Sequence, residues 1–169
     1  MIIRQEKPSD FVGIYDLVKA AFSTAKVANG DEQDFVNRLR VGGNYVPELA
    51  FVAEEDGKLV GHIMFTRTVV STGGGNFVAL LLAPLCVALE YRNRGIGSKL
   101  VKHGFESAKA LGYRAVFVVG NPDYYHKLGF RSSELFGIRN VPEIPCEFVM
   151  ACELLPGSLN GVSGTVTLS

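Results

Sequence analysis

The sequence predicts an α+β fold, a single domain whose mixed, mostly antiparallel sheet of six to seven strands is flanked by about four helices. Three observations carry this prediction. Stretches with apolar residues at helical spacing are separated by strand-like apolar runs. The Asp56-Gly57 pair between two such runs is a strong hairpin signal. One helix-like stretch, Ser98 to Leu111, separates two strand-like runs, which makes a βαβ unit and a parallel pair.

The elements follow in order. Ile2 to Gln5 reads as a short first strand. Ser9 or Asp10 caps a helix whose inward face carries Phe11, Ile14, Leu17, Val18, Ala21 and Phe22. Asp31 to Arg40 reads as a second helix, with Phe35, Val36 and Leu39 inward and Gly42-Gly43 ending it. Leu49 to Glu54 and Lys58 to Val70 form the hairpin, and Gly73-Gly74-Gly75 turns the chain into a strand over Phe77 to Val87. The next helix is expected to bury Ile96, Leu100, Val101, Gly104, Ala108 and Leu111, with Lys99, Lys102, Glu106 and Lys109 outside and Gly112 at its end. Ala115 to Val119 reads as a strand, Asn121 to Leu128 as a short helix, and Phe130 to Ser132 and Glu147 to Leu154 as closing strands. The domain is expected to span 1–155. The tail 156–169, rich in Gly, Ser and Thr, is expected to pack loosely.

The 169 residues suit one domain with a single large core, and an apolar content of 47% excludes disorder. Basic and acidic residues balance at 17 each, with no basic tract or acidic tail, which argues against nucleic acid or a membrane surface as partner. The three cysteines, Cys86, Cys146 and Cys152, lack metal-ligand spacing, and their odd count suits a reducing compartment. Met1-Ile2-Ile3 runs straight into charged residues, unlike a signal peptide, and the longest apolar run, Phe77 to Leu89, is too short to span a membrane and contains Pro84. The expected location is the cytoplasm.

The chemistry concentrates in Arg92-Asn93-Arg94-Gly95-Ile96-Gly97-Ser98, a Gly-rich turn between a strand and a helix. The N–H groups of a first helical turn have no partner within the helix, and the helix dipole favours an anion there. Gly95 and Gly97 let a phosphate approach the backbone, and Arg92 and Arg94 add charge-assisted donors. Two nucleotide readings fail: residue 100 is Leu where a dinucleotide fingerprint needs a third Gly, and no Gly-Lys-Ser/Thr follows for a P-loop.

Two segments give a family resemblance. Val87 to Gly97 resembles the Q/R-x-x-G-x-G/A signature of the GNAT superfamily of N-acetyltransferases, with Arg92, Gly95 and Gly97 in its fixed places. Asn121-Pro122-Asp123-Tyr124-Tyr125-His126-Lys127-Leu128-Gly129-Phe130 resembles the superfamily's second signature. The element order matches from Ile2 to Leu154. Ala83-Pro84-Leu85, Gly120-x-Pro122-x-Tyr124-Tyr125 and Val141-Pro142-Glu143 are similar to the YhbS-like bacterial branch.

The resemblance implies acetyl-CoA as cosubstrate and no metal. The diphosphate is expected on the N–H groups of Arg94 to Ser98. The pantetheine arm is expected to pair like an added strand with Leu85, Cys86 and Val87, where the fourth strand splays from the fifth, and to meet Asn121. Pro84 lacks a donor, which suits a break in pairing. Tyr125 matches the tyrosine that protonates the departing thiolate in many members, a role that chemistry supports for a leaving group of pKa ~8.5. Tyr124 is the adjacent alternative, and Phe130 reads as core. No base stands out among Glu54, Glu55, Glu90 and a bound water. His62 reads as a core or cleft histidine, and His103 and His126 as outward-facing. Cys86 reads as a small buried hydrophobe rather than a nucleophile. Direct transfer to an amine, with a backbone N–H near Val87 polarising the thioester, is therefore the expected reaction. A CoA-binding module without catalysis is the alternative. The acceptor, a small amine or a protein amino group, is expected between Phe22 to Arg40 and Arg131 to Glu147, near Asp31, Glu32, Asp34, Glu134, Glu143 and Glu147. Family members often pair through their last strands, so a homodimer is compatible.

Overall fold

Strands β3 (Lys58–Thr72) and β4 (Gly75–Val87) each pass through two compact units in this computed structural model, which describes residues 1–24 and 30–168. One unit is Met1–Thr66 with Ala83–Ser107, and the other is Arg67–Leu82 with Ala108–Ser169.

The first unit carries β1 (Ile2–Gln5), α1 (Phe11–Phe22), α2 (Glu32–Val41), β2 (Tyr45–Glu55), the first part of β3, the end of β4 and most of α3 (Ile96–Ala110). β1 and β2 pair antiparallel from Ile2 opposite Glu54 to Gln5 opposite Phe51. β2 and β3 pair antiparallel, with Ala50 opposite Met64 and Val52 opposite His62. Their connection has Asp56 at φ 50° and Gly57 at φ 77°, the two left-handed residues that a type I′ hairpin turn requires. Strand alternation then sorts the side chains. Ala50, Val52, Met64, Cys86 and Ala88 pack with Ile14, Leu17, Val18 and Ala21 of α1 and Val36 of α2. The opposite face receives α3: a Cβ at Gly61 would lie 2.9 Å from Leu100 Cδ1 and 3.3 Å from Ile96 Cγ2, and one at Gly104 would overlap the Phe65 ring. Two bare backbones thus let α3 sit close to β3.

Two expectations change here. Asp10 stands at the N-cap position of α1, but its side chain makes no capping bond to that helix. It ends a 3-10 turn, Pro8–Asp10, and its carboxylate reaches back to the Lys7 N–H at 2.9 Å and the Arg4 guanidinium at 2.8 Å. Leu111 is not buried but half exposed, because α3 stops at Ala110 and Gly112, at φ 92°, turns the chain out of helical periodicity.

In the second unit β4 pairs parallel with β5 (Ala115–Val119), Leu80 opposite Val116 and Leu81 opposite Phe117. This is the parallel pair of the expected βαβ passage, and the remaining sheet is mostly antiparallel. β5 pairs antiparallel with β8 (Val149–Glu153), which also pairs with β6 (Arg131–Ser132). α4 (Pro122–Tyr125) follows β5 directly. The sheet gains two short strands beyond the expected six to seven, β7 (Ile138–Asn140) and β9 (Gly164–Val166). β9 pairs antiparallel with β3 and parallel with β7.

The tail therefore does not pack loosely. Leu159, Val166 and Leu168 are buried, and the Leu168 N–H donates to Asn140 Oδ1 at 2.8 Å. A Cβ at Gly164 would collide with the Ser71 carbonyl, so this glycine allows the strand to close on β3. The Gly, Ser and Thr content reflects tight turns and close approach, while a few apolar side chains supply the anchoring.

Candidate functional site

The turn from β4 into α3 is shaped by its backbone. After a 3-10 turn at Leu89–Tyr91, Asn93 at φ 63° and Gly95 at φ 78° both adopt the left-handed conformation. Asn tolerates that region better than most side chains, and glycine has no penalty there. Nothing lies within 4 Å of where a Gly95 Cβ would be, so conformation rather than room selects glycine at this position. The Lys99 N–H donates to the Gly95 carbonyl at 3.1 Å, which starts the helical ladder. The N–H groups of Ile96, Gly97 and Ser98 therefore precede any intrahelical acceptor and form a donor cluster at the positive end of the helix dipole. Ile96 and Gly97 are buried and Ser98 is exposed. The Arg94 guanidinium lies 5.0 Å from the centre of the Tyr91 ring. These residues fit a diphosphate through main-chain donors, and Gly61 holds the helix start that carries them.

Leu85, Cys86 and Val87 form the end of β4, and the Ala88 N–H donates to the Val60 carbonyl at 2.8 Å, so the end of β4 is held by β3. The Cys86 side chain is buried in the apolar cluster under α1. Burial pushes its thiol up to about 12, against smaller opposing effects of the His62 backbone and Arg92. A thiol raised by burial holds little thiolate at neutral pH, so Cys86 has the character of a small buried hydrophobe. The Arg92 guanidinium binds the Ala21 carbonyl at 2.8 Å, Thr24 Oγ1 at 3.3 Å and the Val87 carbonyl at 3.4 Å.

Tyr125 belongs to the second unit, where Gly120 makes its place. A Cβ at Gly120 would come within 2.6 Å of Tyr125 Cε2, so the ring lies directly over the bare end of β5. Its edges meet Tyr124 and Phe130 in T-shaped contacts, with centroids 5.1 and 5.5 Å away. Phe130 is fully buried. Asn121 caps α4, its Oδ1 accepting the Asp123 N–H at 3.0 Å, and Pro122 at the first helical position suits a helix start.

The base candidates separate by environment. Glu54 is paired with Arg4 at 3.1 Å. Glu90 is exposed; its own backbone N–H and Lys58, 3.2 Å away, hold it below the usual carboxylate range. His103 is exposed and meets the Phe51 ring edge-on at 4.6 Å, and His126 is exposed. Of the carboxylates expected near the acceptor, Glu32 accepts from the Gly30 N–H, Asp34 from the Tyr15 hydroxyl and Asp31 from Arg38. Part of that expected region, residues 25–29, lies outside the described residues.

One cluster escaped the sequence reading. Glu6 is buried and receives Arg40 Nε at 2.9 Å, Arg40 Nη2 at 3.0 Å, the Tyr45 hydroxyl at 2.8 Å and His62 Nε2 at 2.8 Å. Burial alone would raise the Glu6 pKa, but the bonds from His62, Arg40 and Tyr45 outweigh it and take it down to about 2. Burial holds the His62 pKa below its ordinary value, so the ring is neutral and donates from Nε2 to the ionised Glu6. His62 Nδ1 is then a buried acceptor without a hydrogen-bond partner among the described residues. Tyr45 is pushed up by burial and by Glu6. The cluster ties α2, β2 and β3 to the residue after β1. No group of His, Cys, Asp and Glu able to hold a metal occurs among the described residues, and none of their helices is long and apolar enough to cross a membrane.

Comparison with known proteins gives concordant findings. The family model described as "Acetyltransferase (GNAT) domain" matches residues 2–132. The chain is 32% identical over 168 residues to the uncharacterized N-acetyltransferase YhbS of Escherichia coli K12, covering 98% of this chain and 95% of YhbS. It is 35% identical over 122 residues to the uncharacterized N-acetyltransferase YjhQ of the same organism, covering 72% of this chain and 65% of YjhQ. Among solved structures, Escherichia coli YhbS in complex with CoA superposes with a TM-score of 0.88 at 30% identity, covering 99% of this chain and 89% of that one. A GNAT family acetyltransferase from Brucella melitensis in complex with acetyl-CoA superposes with a TM-score of 0.79 at 27% identity, covering 99% and 95%.

Proposed function

The chain belongs to the GNAT family of N-acetyltransferases, and from that premise we propose that it moves the acetyl group of acetyl-CoA to a primary amine by direct attack in a ternary complex. The observation that carries this reading is the turn at 92–98, where left-handed Asn93 and Gly95 precede a helix start whose first N–H groups suit a diphosphate. Relatives of the same fold bind CoA and acetyl-CoA.

Each residue then has a defined task. The N–H groups of Arg94 to Ser98 hold the diphosphate. The end of β4 from Leu85 to Val87 and the Asn121 side-chain amide take the polar groups of the pantetheine arm. Asn121 Oδ1 is occupied by its cap, so its NH2 is the donor that meets an arm carbonyl. The neutral acceptor nitrogen attacks the thioester carbonyl carbon, forming the C–N bond. The C–S bond then breaks, and the Tyr125 hydroxyl gives its proton to the leaving sulfur. The amine proton passes to solvent or a base, and Tyr125 is reprotonated. The products are an N-acetyl amide and free CoA thiol. A Cys86 thiol held at about 12 favours this single transfer over a covalent relay.

Calorimetry with acetyl-CoA tests the binding step, and thiol release over a panel of amines, polyamines, amino acids and peptide N-termini tests the chemistry. The wild type is expected to bind saturably. Gly97→Glu, which sets a carboxylate beside the diphosphate, is expected to bind about 100-fold more weakly, a loss of about 2.7 kcal/mol. Tyr125→Phe is expected to lower kcat by about 100-fold while acetyl-CoA binds as before. Absence of acetyl-CoA binding overturns the reading. Binding without thiol release to any amine leaves a CoA-binding module instead.

A further inference from the structure

Arg92 holds the first fixed place of the turn; it is exposed, and three of the five N–H donors of its guanidinium meet protein oxygens. Nη2 donates to the Ala21 carbonyl, Nη1 to Thr24 Oγ1 and Nε to the Val87 carbonyl. Ala21 is in the last turn of α1, which ends at Phe22, so its carbonyl is among those without an intrahelical donor. A cation there also meets the negative end of the α1 dipole. The neighbouring Ala20 carbonyl is taken by the Ser23 hydroxyl at 2.6 Å, so two successive carbonyls at the end of α1 are capped by side chains. The third contact, on Val87, is to the last residue of β4. One side chain thus joins the cofactor turn, the strand end and the end of α1. The rigid fork of a guanidinium makes such a three-way contact possible where a single ammonium reaches fewer acceptors.

We propose that Arg92 is a positioning residue that couples the cofactor turn to the C-terminal end of α1, and that its guanidinium is not a phosphate ligand. The inference rests on the acetyl-CoA reading for the identity of what the turn holds. The main-chain donors then carry the diphosphate, and Arg92 transmits the order of the occupied turn to α1. The amine-acceptor side was expected to begin where α1 ends, so this coupling would ready that side once acetyl-CoA is in place.

The test uses the full chain with Arg92→Gln and Arg92→Lys, each checked by circular dichroism. Calorimetry measures acetyl-CoA affinity, and hydrogen exchange reads amides of the last turn of α1 with and without saturating acetyl-CoA. In Arg92→Gln the affinity is expected to stay within about threefold of wild type. The α1 amides are expected to exchange about tenfold faster, and the protection that acetyl-CoA gives them in the wild type is expected to vanish. Arg92→Lys is expected to restore part of the protection. An affinity loss of tenfold or more makes the guanidinium a phosphate ligand and overturns the proposal, as does unchanged exchange at α1 in both variants. If the wild type binds no acetyl-CoA, the functional reading fails by itself, and exchange in the unliganded variants still decides whether Arg92 holds α1.

Discussion

The turn at 92–98 and the Glu6 cluster lie in the same compact unit and are built in opposite ways. The turn uses main-chain groups of seven consecutive residues, several of them exposed, and two left-handed residues set its shape. The Glu6 cluster joins the buried side chains of Glu6, Arg40 and His62 and the half-buried Tyr45 by charge-assisted hydrogen bonds. The turn presents donors outward and suits an anion. The cluster satisfies its own charges inward and fastens α2, β2 and β3 together. A turn of main-chain donors therefore tolerates solvent and relies on conformation, whereas a buried ionic cluster depends on every partner being present.

The largest expected effect separates the two regions outright. Glu6→Gln leaves the Arg40 guanidinium buried without its counter-charge and is expected to cost about 3–5 kcal/mol of stability in urea unfolding. Acetyl-CoA affinity of the fraction that stays folded is expected to change little, since the turn does not use Glu6. A comparable loss of affinity in the folded protein would show that the two regions are not independent.

Acid probes the same contrast. Glu6 is depressed from 4.5 to about 2, so its contribution is fully present above about 4.5 and is lost as pH falls toward 2. His62 is also depressed, by burial, so the unfolded chain takes up a proton first as pH falls below about 6.5, and stability declines from there. Both groups act in the same direction. Urea midpoints at pH 7.5, 5.5 and 3.5 are expected to fall in that order, and the step from 5.5 to 3.5 is expected to shrink in Glu6→Gln.

Gly61→Val links the regions through α3. Its side chain would press on Leu100 and Ile96, at a cost of about 1–3 kcal/mol, and is expected to weaken acetyl-CoA binding because the helix start moves. Unchanged binding with lowered stability would show that the turn keeps its shape without its seat. The smallest expected effect is Gly95→Ala. The left-handed φ of 78° makes alanine strained by about 1 kcal/mol, with open space around it, so binding is expected to weaken severalfold with the rest of the protein unaffected.

Much of the fold was legible because its signals are local. Asp56-Gly57 marks its own hairpin, Gly112 its own helix end, and apolar spacing shows the inward faces of α1 and α3. The turn at 92–98 was legible for the same reason. Asp10 misled because an acid before a helix reads as a cap, while Arg4 and the Lys7 N–H offered it better partners. The tail misled because Gly, Ser and Thr suggest looseness when only composition is weighed; Gly164 against Ser71 shows the opposite. Gly61 was a missed signal, since an interior strand glycine marks close approach by a neighbour.

The sequence by itself determined the order of elements as far as β6, the hairpin and the main-chain donors of the turn, because each depends on residues within a few positions of one another. The tertiary structure alone decided that Glu6 is gripped by Arg40, Tyr45 and His62, residues 34, 39 and 56 positions away. It also decided that Arg92 reaches back 71 positions to Ala21. Backbone conformation answers to neighbours in sequence, whereas the partners of a charged side chain are chosen by which strands and helices the core brings together.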